Sequence, residues 1–153
     1  MTASITVIPA NPRAPEAQRL LQASHRMMHS LFSPEDNYAL DIEALLAPNI
    51  RFFIASDGTH TLGTGALALR DGYGEVKAMF TAPAARGRGV AAGILRRLEE
   101  EARDLDLPCL RLETADVLDG AVRLYARHGF RRCGRFGDYT PNETSIYMEK
   151  SLV

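Results

Sequence analysis

Glu75-Val-Lys-Ala-Met-Phe-Thr-Ala-Pro-Ala-Ala-Arg86-Gly-Arg-Gly-Val-Ala91 changes character halfway along its length. The reading up to Thr81 is a strand, Pro83 ends it, and Val90, Ala91, Ile94, Leu95, Leu98 and Ala102 then recur on one helical stripe. A strand passing through a short glycine turn into a helix leaves the first helical N–H groups without carbonyl partners. Their aligned dipoles attract an anion such as phosphate. Gly87 and Gly89 allow close approach to those amides because no Cβ intervenes, and Arg86 and Arg88 can add charge-assisted bonds. The same glycines also suit a tight turn that holds no ligand. Two other phosphate signatures are excluded. Gly87-Arg-Gly-Val-Ala-Ala92 lacks the third glycine of a dinucleotide fingerprint, and Gly-Lys-Ser/Thr occurs nowhere.

Working upstream, Arg51–Ala55, Leu62–Leu69 and Tyr73–Thr81 are separated by the turn pairs Asp57-Gly58 and Asp71-Gly72, which predicts three consecutive antiparallel strands. Ser4–Ile8 alternates as a short strand before Pro9. Pro15–Leu31 carries Leu20, Leu21, Met27, Met28 and Leu31 at helical spacing, and Asp41–Ala47 predicts a second short helix. Downstream, Cys109–Glu113 alternates as a strand, Ala121–His128 reads as a helix stopped by Gly129, and Phe130–Cys133 and Ser145–Leu152 return to extended structure. No repeat or linker interrupts this order, so one mixed α/β domain over residues 1–153 is expected.

Composition narrows the classes. With 18 Lys+Arg against 19 Asp+Glu the net charge is −1, which provides no general basic excess for nucleic acid, although the Arg-rich stretch 86–135 can still hold one small anion. Residues 1–10 have no basic, apolar leader, and no apolar run reaches the roughly 18–20 residues of a membrane span, so a cytoplasmic protein with no membrane partner is expected. Cys109 and Cys133 have neither CxxC spacing nor Cys/His companions, which indicates no metal and no disulfide framework. His25 and His29 are spaced i, i+4, but Arg26 stands where a zinc-protease helix has Glu, and a surface pair is the simpler reading. Glu99-Glu100-Glu101 reads as a solvated helix face.

Arg86, Gly89 and Ala91, following a strand, meet the pattern Gln/Arg-x-x-Gly-x-Gly/Ala and resemble the central motif of the GNAT superfamily of acetyl-coenzyme A-dependent acetyltransferases. Leu124-Tyr125-Ala-Arg-His-Gly129-Phe130 is similar to that family's second motif, and together the two cover residues 73–133, with a likeness to small bacterial members. The resemblance implies an α/β fold with a mostly antiparallel, twisted sheet of six to seven strands, splayed between the fourth and fifth and flanked by about four helices. It also implies acetyl-coenzyme A as co-substrate, lying in that gap, with no metal. Met79, Phe80 and Thr81 would follow the pantetheine arm, and the amides of Arg86, Gly87, Arg88, Gly89, Val90 and Ala91 would cradle the pyrophosphate. Where many members place an Asn after the fifth strand this chain has Asp119-Gly120. Arg131-Arg132 would meet the nucleotide end or solvent, and an edge-strand homodimer would be in keeping with the family.

The chemistry names its own candidates. An amine attacks a thioester only when neutral, yet an α-amino group titrates at about 8 and a lysine at about 10.4, so a base, direct or through water, is needed near neutrality. Glu75 matches the position where many family members carry that base. Glu113, on the neighbouring strand, and water are the alternatives, and Glu113, Asp138 and Tyr38 are expected to contact the acceptor. Tyr125, in the second motif, is expected to serve the leaving thiolate. A phenol at about 10 and a thiol at about 8.5 make hydrogen-bond stabilisation a sounder role than full proton transfer. The resemblance thus implies an N-acetyltransferase acting on a primary amine of a small molecule or amino acid by direct attack in a ternary complex. A non-catalytic acyl-coenzyme A sensor or scaffold, and an enzyme acting on protein lysines or N-termini, are the alternatives. Retention of Glu75 and Tyr125 argues for an enzyme.

Overall fold

The computed structural model describes residues 4–37 and 40–153. At the two Asp-Gly turns Gly58 and Gly72 take φ of 93° and 85°, a region open to glycine at little cost. The chain reverses at each, so β2 (Ile50–Ser56), β3 (Thr61–Arg70) and β4 (Tyr73–Thr81) pair antiparallel in succession. β1 (Thr6–Pro9) joins β2 at one edge. On the far side β5 (Cys109–Ala115) lies parallel to β4, β7 (Ser145–Ser151) lies antiparallel to β5, and the two-residue β6 (Arg131–Arg132) pairs with β7. The strand order is β1-β2-β3-β4-β5-β7-β6. This is the sheet the resemblance implied.

Among the described residues four α-helices flank it: α1 (Pro15–Leu31), α2 (Ile42–Leu45), α3 (Val90–Asp104) and α4 (Asp119–Arg127). Asp41 caps α2 by accepting from the Ala44 N–H at 2.8 Å. α2 is shorter than the Asp41–Ala47 expectation because Pro48 disfavours helical angles in the residue before it. β2 is buried on both faces. Phe53 and Ala55 join the core with α3, whereas Phe52 and Ile54 join a second core with Ala17 and Leu21 of α1 and Leu45 of α2. A strand covered twice has no polar face to show, hence the near-unbroken apolar run at Phe52–Ala55. The α3 stripe Val90, Ile94, Leu95, Leu98 and Ala102 is at most 2% exposed. Each of its larger side chains contributes roughly 1.5–3 kcal/mol on burial.

Two irregularities shape the sheet. First, β4 and β5 share just the rungs Gly74–Leu110 and Glu75–Arg111, yet run on to Thr81 and Ala115, so they part from the middle outward. Second, Thr64 pairs with Phe80 and Ala66 with Lys77, so Gly65 faces both Ala78 and Met79 across a bulge. Ala78 carries φ of 56°, uncommon for a residue with a Cβ, and Thr64 Oγ1 steadies it by donating to the Ala78 carbonyl at 2.7 Å. Gly65 is small because α3 presses there: a Cβ at this position would lie 2.3 Å from Ile94 Cγ2 and 3.0 Å from Met79 Sδ. Gly65→Ala should therefore cost about 1–3 kcal/mol by overpacking and lower the melting temperature by about 2–10 °C in thermal denaturation. A parental melting curve would show that α3 is not wedged against the bulge.

Candidate active site

The parted strands open a cleft of about 560 Å³. Residues 76–81 of β4 form one wall and Glu113–Ala115 of β5 another, with α4 beneath and α1 and the following loop across the top. Backbone N–H and C=O groups that face a gap instead of a neighbouring strand must find partners in a ligand or in water, so the splay is itself a binding feature.

At one end stand Thr81, Arg86 and Ala91. Gly89 caps α3 at φ of 80°, its carbonyl accepting from the Gly93 N–H at 3.0 Å, and Gly87 takes φ of 81°. A Cβ built on either would meet nothing within 4 Å, which leaves an open cradle before the helix. α3 is long enough for its first amides and dipole to favour an anion there. The structure separates the two arginines of the loop. Arg86 lines the cleft, whereas Arg88 turns to Asp57 at 3.5 Å in the β2–β3 turn, leaving its backbone as its offering to the loop. Val90 sends its side chain into the core at 1% exposure, so it too presents only its amide. Met79 and Phe80 line the cleft as expected. Asp119 begins α4 as an exposed residue outside the lining, which its neighbour Gly120 enters instead.

Nearer the sheet centre the expected residues divide. Glu75 is 3% exposed and does not line the cleft. Arg70 Nε donates to its Oε1 at 3.1 Å, the Tyr139 hydroxyl donates to its other oxygen, and Lys77 Nζ lies 3.7 Å away. The carboxylate expected as the base therefore does not face the gap, because it stands at the last shared rung, below the point of parting. Glu113, two residues further along β5, does line the cleft. Burial holds its carboxyl above the usual range, while the hydrogen bond from Ser145 Oγ at 2.6 Å and the charge of Lys77 pull it back. Lys77 lines the opposite wall and donates to the Tyr139 hydroxyl at 2.8 Å; burial pushes its ammonium below the usual lysine range. Tyr125 also lines the cleft, at 6% exposure, packed edge-on against Phe130 at 5.7 Å. Burial raises its hydroxyl well above an ordinary phenol, so it remains a donor through the neutral range. Asp138 sits exposed in a turn away from the lining, and Tyr38 lies outside the described residues.

Beyond these, α1 and the loop after it contribute Leu21, Met27, Met28, Phe32 and Leu40 to the far end, with His25 Nε2 donating to the Leu40 carbonyl at 2.9 Å. Sequence reading missed Lys77, Tyr139 and Ser145. Lys77 lies within the quoted Glu75–Ala91 stretch, but nothing local marks these contacts, since the partners are 62 and 32 residues away in the chain. The bulge did leave a sign, because glycine inside an apolar strand, here Gly65 with Gly63 two residues before it, signals a bulge or a close approach.

The sequence model of the acetyltransferase (GNAT) family matches residues 16–130. A protein of Azospirillum brasilense named "IAA acetyltransferase" is 37% identical over 151 residues, spanning 97% of this chain and 99% of its own. A solved structure from Klebsiella pneumoniae, assigned as an acyl-CoA N-acyltransferase, superposes with a TM-score of 0.82 at 29% identity over 99% of each chain. A GNAT family acetyltransferase from Elizabethkingia anophelis with acetyl-CoA bound shares the fold at a TM-score of 0.72, with 18% identity over 97% of this chain and 98% of its own.

The open space before α3 makes Gly89 a sharp probe of coenzyme A binding. Gly89→Asp should weaken coenzyme A binding by about 10-fold or more in calorimetry, because a carboxylate would stand where the dipole favours a phosphate. The fold should survive, since the space is open and Asp tolerates a left-handed backbone better than most residues. Unchanged affinity in a folded variant would show that the pyrophosphate does not use this loop.

Proposed function

Because the chain belongs to the GNAT acetyltransferase family, we propose that it transfers the acetyl group of acetyl-coenzyme A to the primary amine of a compact, largely apolar small molecule, by direct attack within a ternary complex. The observation that carries the reading is the pairing of Glu113 and Tyr125, a carboxylate and a phenol lining one cleft between the parted strands. The open glycine cradle and the unpaired strand edges support coenzyme A as the occupant, and the bound cofactor supplies the activated acetyl thioester. Arg86 and the amides of residues 87–91 hold its pyrophosphate, and the β4 backbone at Met79–Thr81 guides its arm.

Glu113 is the base. Its raised carboxyl lies closer to the amine it must relieve of a proton than an ordinary glutamate does, which makes the transfer less uphill. Its charged form is the active one, so activity falls as pH drops through that raised value. Glu75, saturated by Arg70 and Tyr139, organises the floor instead. Tyr125 donates its hydroxyl hydrogen to the sulfur as negative charge gathers there. A phenol this deeply buried gives up its proton reluctantly, so it stabilises by hydrogen bonding without complete transfer.

The far end of the cleft supports the acceptor class. Its wall is Leu21, Met27, Met28, Phe32 and Leu40, and among the described lining residues Glu113 is the one carboxylate. A polyamine would bring a second ammonium with no counter-charge, next to the Lys77 cation. An apolar monoamine or apolar amino acid meets neither penalty. Release of free thiol from acetyl-coenzyme A across a panel of apolar amines, amino acids, polyamines and lysine peptides tests this. Turnover confined to polyamines or peptides would overturn it.

With a working acceptor, Glu113→Gln should lower kcat/KM by about 10²–10⁴-fold near neutrality and abolish the acid limb of the pH profile, with coenzyme A affinity unchanged. Glu75→Gln should instead lower the melting temperature, because a buried network loses its charge. Tyr125→Phe should reduce kcat by about 10–10³-fold with little effect on cofactor affinity, a pattern that rapid-mixing kinetics can assign to the chemical step.

A further inference from the structure

Glu113 does not stand alone on its strand. β7 begins at Ser145, which pairs with Ala115 while Tyr147 pairs with Glu113, so Ser145 lies diagonally across the ladder from the carboxylate. Its Oγ donates to Glu113 Oε2 at 2.6 Å. The hydroxyl has one hydrogen to give, and what fixes its direction is Asn142. The Asn142 Nδ2 donates to Ser145 Oγ at 2.9 Å and occupies an acceptor lone pair, while Oδ1 of the same amide accepts from the Ser145 N–H at 2.7 Å, the Thr144 N–H at 2.9 Å and the Thr144 hydroxyl at 3.0 Å. The turn before β7 is thus wound around one amide side chain. That amide leaves the serine hydrogen pointing at the carboxylate.

We propose that Ser145, oriented by Asn142, is a positioning residue for the acceptor-activating carboxylate Glu113: it holds one carboxyl oxygen and keeps the other available to the amine. This rests on the reading of Glu113 as the base. Neither residue touches the reacting atoms, so both act through Glu113. The hydrogen bond favours the charged form of the carboxylate, as does Lys77 from β4, whereas Glu75 on β4 and burial oppose it. Tyr125 from α4 and Tyr139 from the loop before β7 are the neighbouring phenols, both held neutral with raised hydroxyls, and α1 contributes His25 to the lining. Loss of the serine hydroxyl therefore moves the Glu113 titration upward, away from its working charge at neutral pH.

The test uses the intact chain in four forms: Ser145→Ala, Ser145→Thr, Asn142→Ala and Glu113→Gln. Two readouts are taken, kcat/KM against pH from 5.5 to 9.5 with saturating acetyl-coenzyme A, and the side-chain carboxyl resonance of Glu113 in protein carrying 13C-labelled glutamate, assigned by its absence from Glu113→Gln. For Ser145→Ala the acid limb and the carboxyl titration should both move up by about one pH unit, with kcat/KM about 10-fold lower well down the acid limb and largely recovered at pH 9. Ser145→Thr, which keeps the hydroxyl, should restore both, and Asn142→Ala should shift them in the same direction by less. An inactive Glu113→Gln beside a Ser145→Ala whose limb and titration match the parent overturns the positioning role alone. A Glu113→Gln that keeps parental activity and its acid limb overturns the base reading and this inference with it.

Discussion

Two rungs, Gly74–Leu110 and Glu75–Arg111, are the shared length of β4 and β5, and the functional half of the molecule depends on their ending there. Each strand is committed elsewhere beyond that point. β5 stays in register with β7 from Cys109–Ser151 to Ala115–Ser145, while β4 follows β3 through a bulge that redirects its backbone at Ala78 and Met79. The two cannot meet again without breaking one of those ladders. A parallel pair so interrupted exposes peptide groups in the middle of a sheet, where their desolvation is costly unless a ligand or water satisfies them. The cleft follows from that unpaired backbone.

The bulge shows how such a constraint is built from ordinary parts. A left-handed Ala78 costs of order 1–2 kcal/mol, and the Thr64 hydrogen bond to its carbonyl offsets part of that. Gly65 allows α3 to press on the same spot, so the helix that carries the glycine cradle also braces the strand that forms the cleft wall. Cradle and wall are then fixed relative to each other through Ile94.

Glu75 and Glu113 illustrate how environment separates two chemically identical groups. They lie on neighbouring strands, one at the last rung and one two residues past it. At the rung Glu75 is enclosed by Arg70, Lys77 and Tyr139; one of its oxygens holds the loop before β7 against the sheet through Tyr139, while the other accepts from Arg70 of β3. Past the rung the strands have diverged, and Glu113 keeps a face on the cleft with Ser145 and Lys77 as tempering partners. Two residues of register decide which carboxylate is enclosed and which borders the cleft.

Much of this was legible before any coordinates. The Asp-Gly turns, the apolar stripe of α3 and the Arg86–Gly89 loop are local signals, each contained within about a dozen residues, and they determined the strand succession, the helix and the open glycine turn before it. Tyr125 in its motif was equally readable and lies in the cleft. The place of Glu75 was not, nor that of Arg88, Ser145 or Tyr139. Their surroundings come from residues distant in sequence: Tyr139 is 64 positions from Glu75, and Asp57 is 31 from Arg88. Propensity and periodicity report what a segment prefers by itself, through backbone sterics and the spacing of apolar groups. Which carboxylate is desolvated, which cation is already paired, and where two strands cease to touch depend on burial and distance between segments, and those arise only when the sheet is assembled.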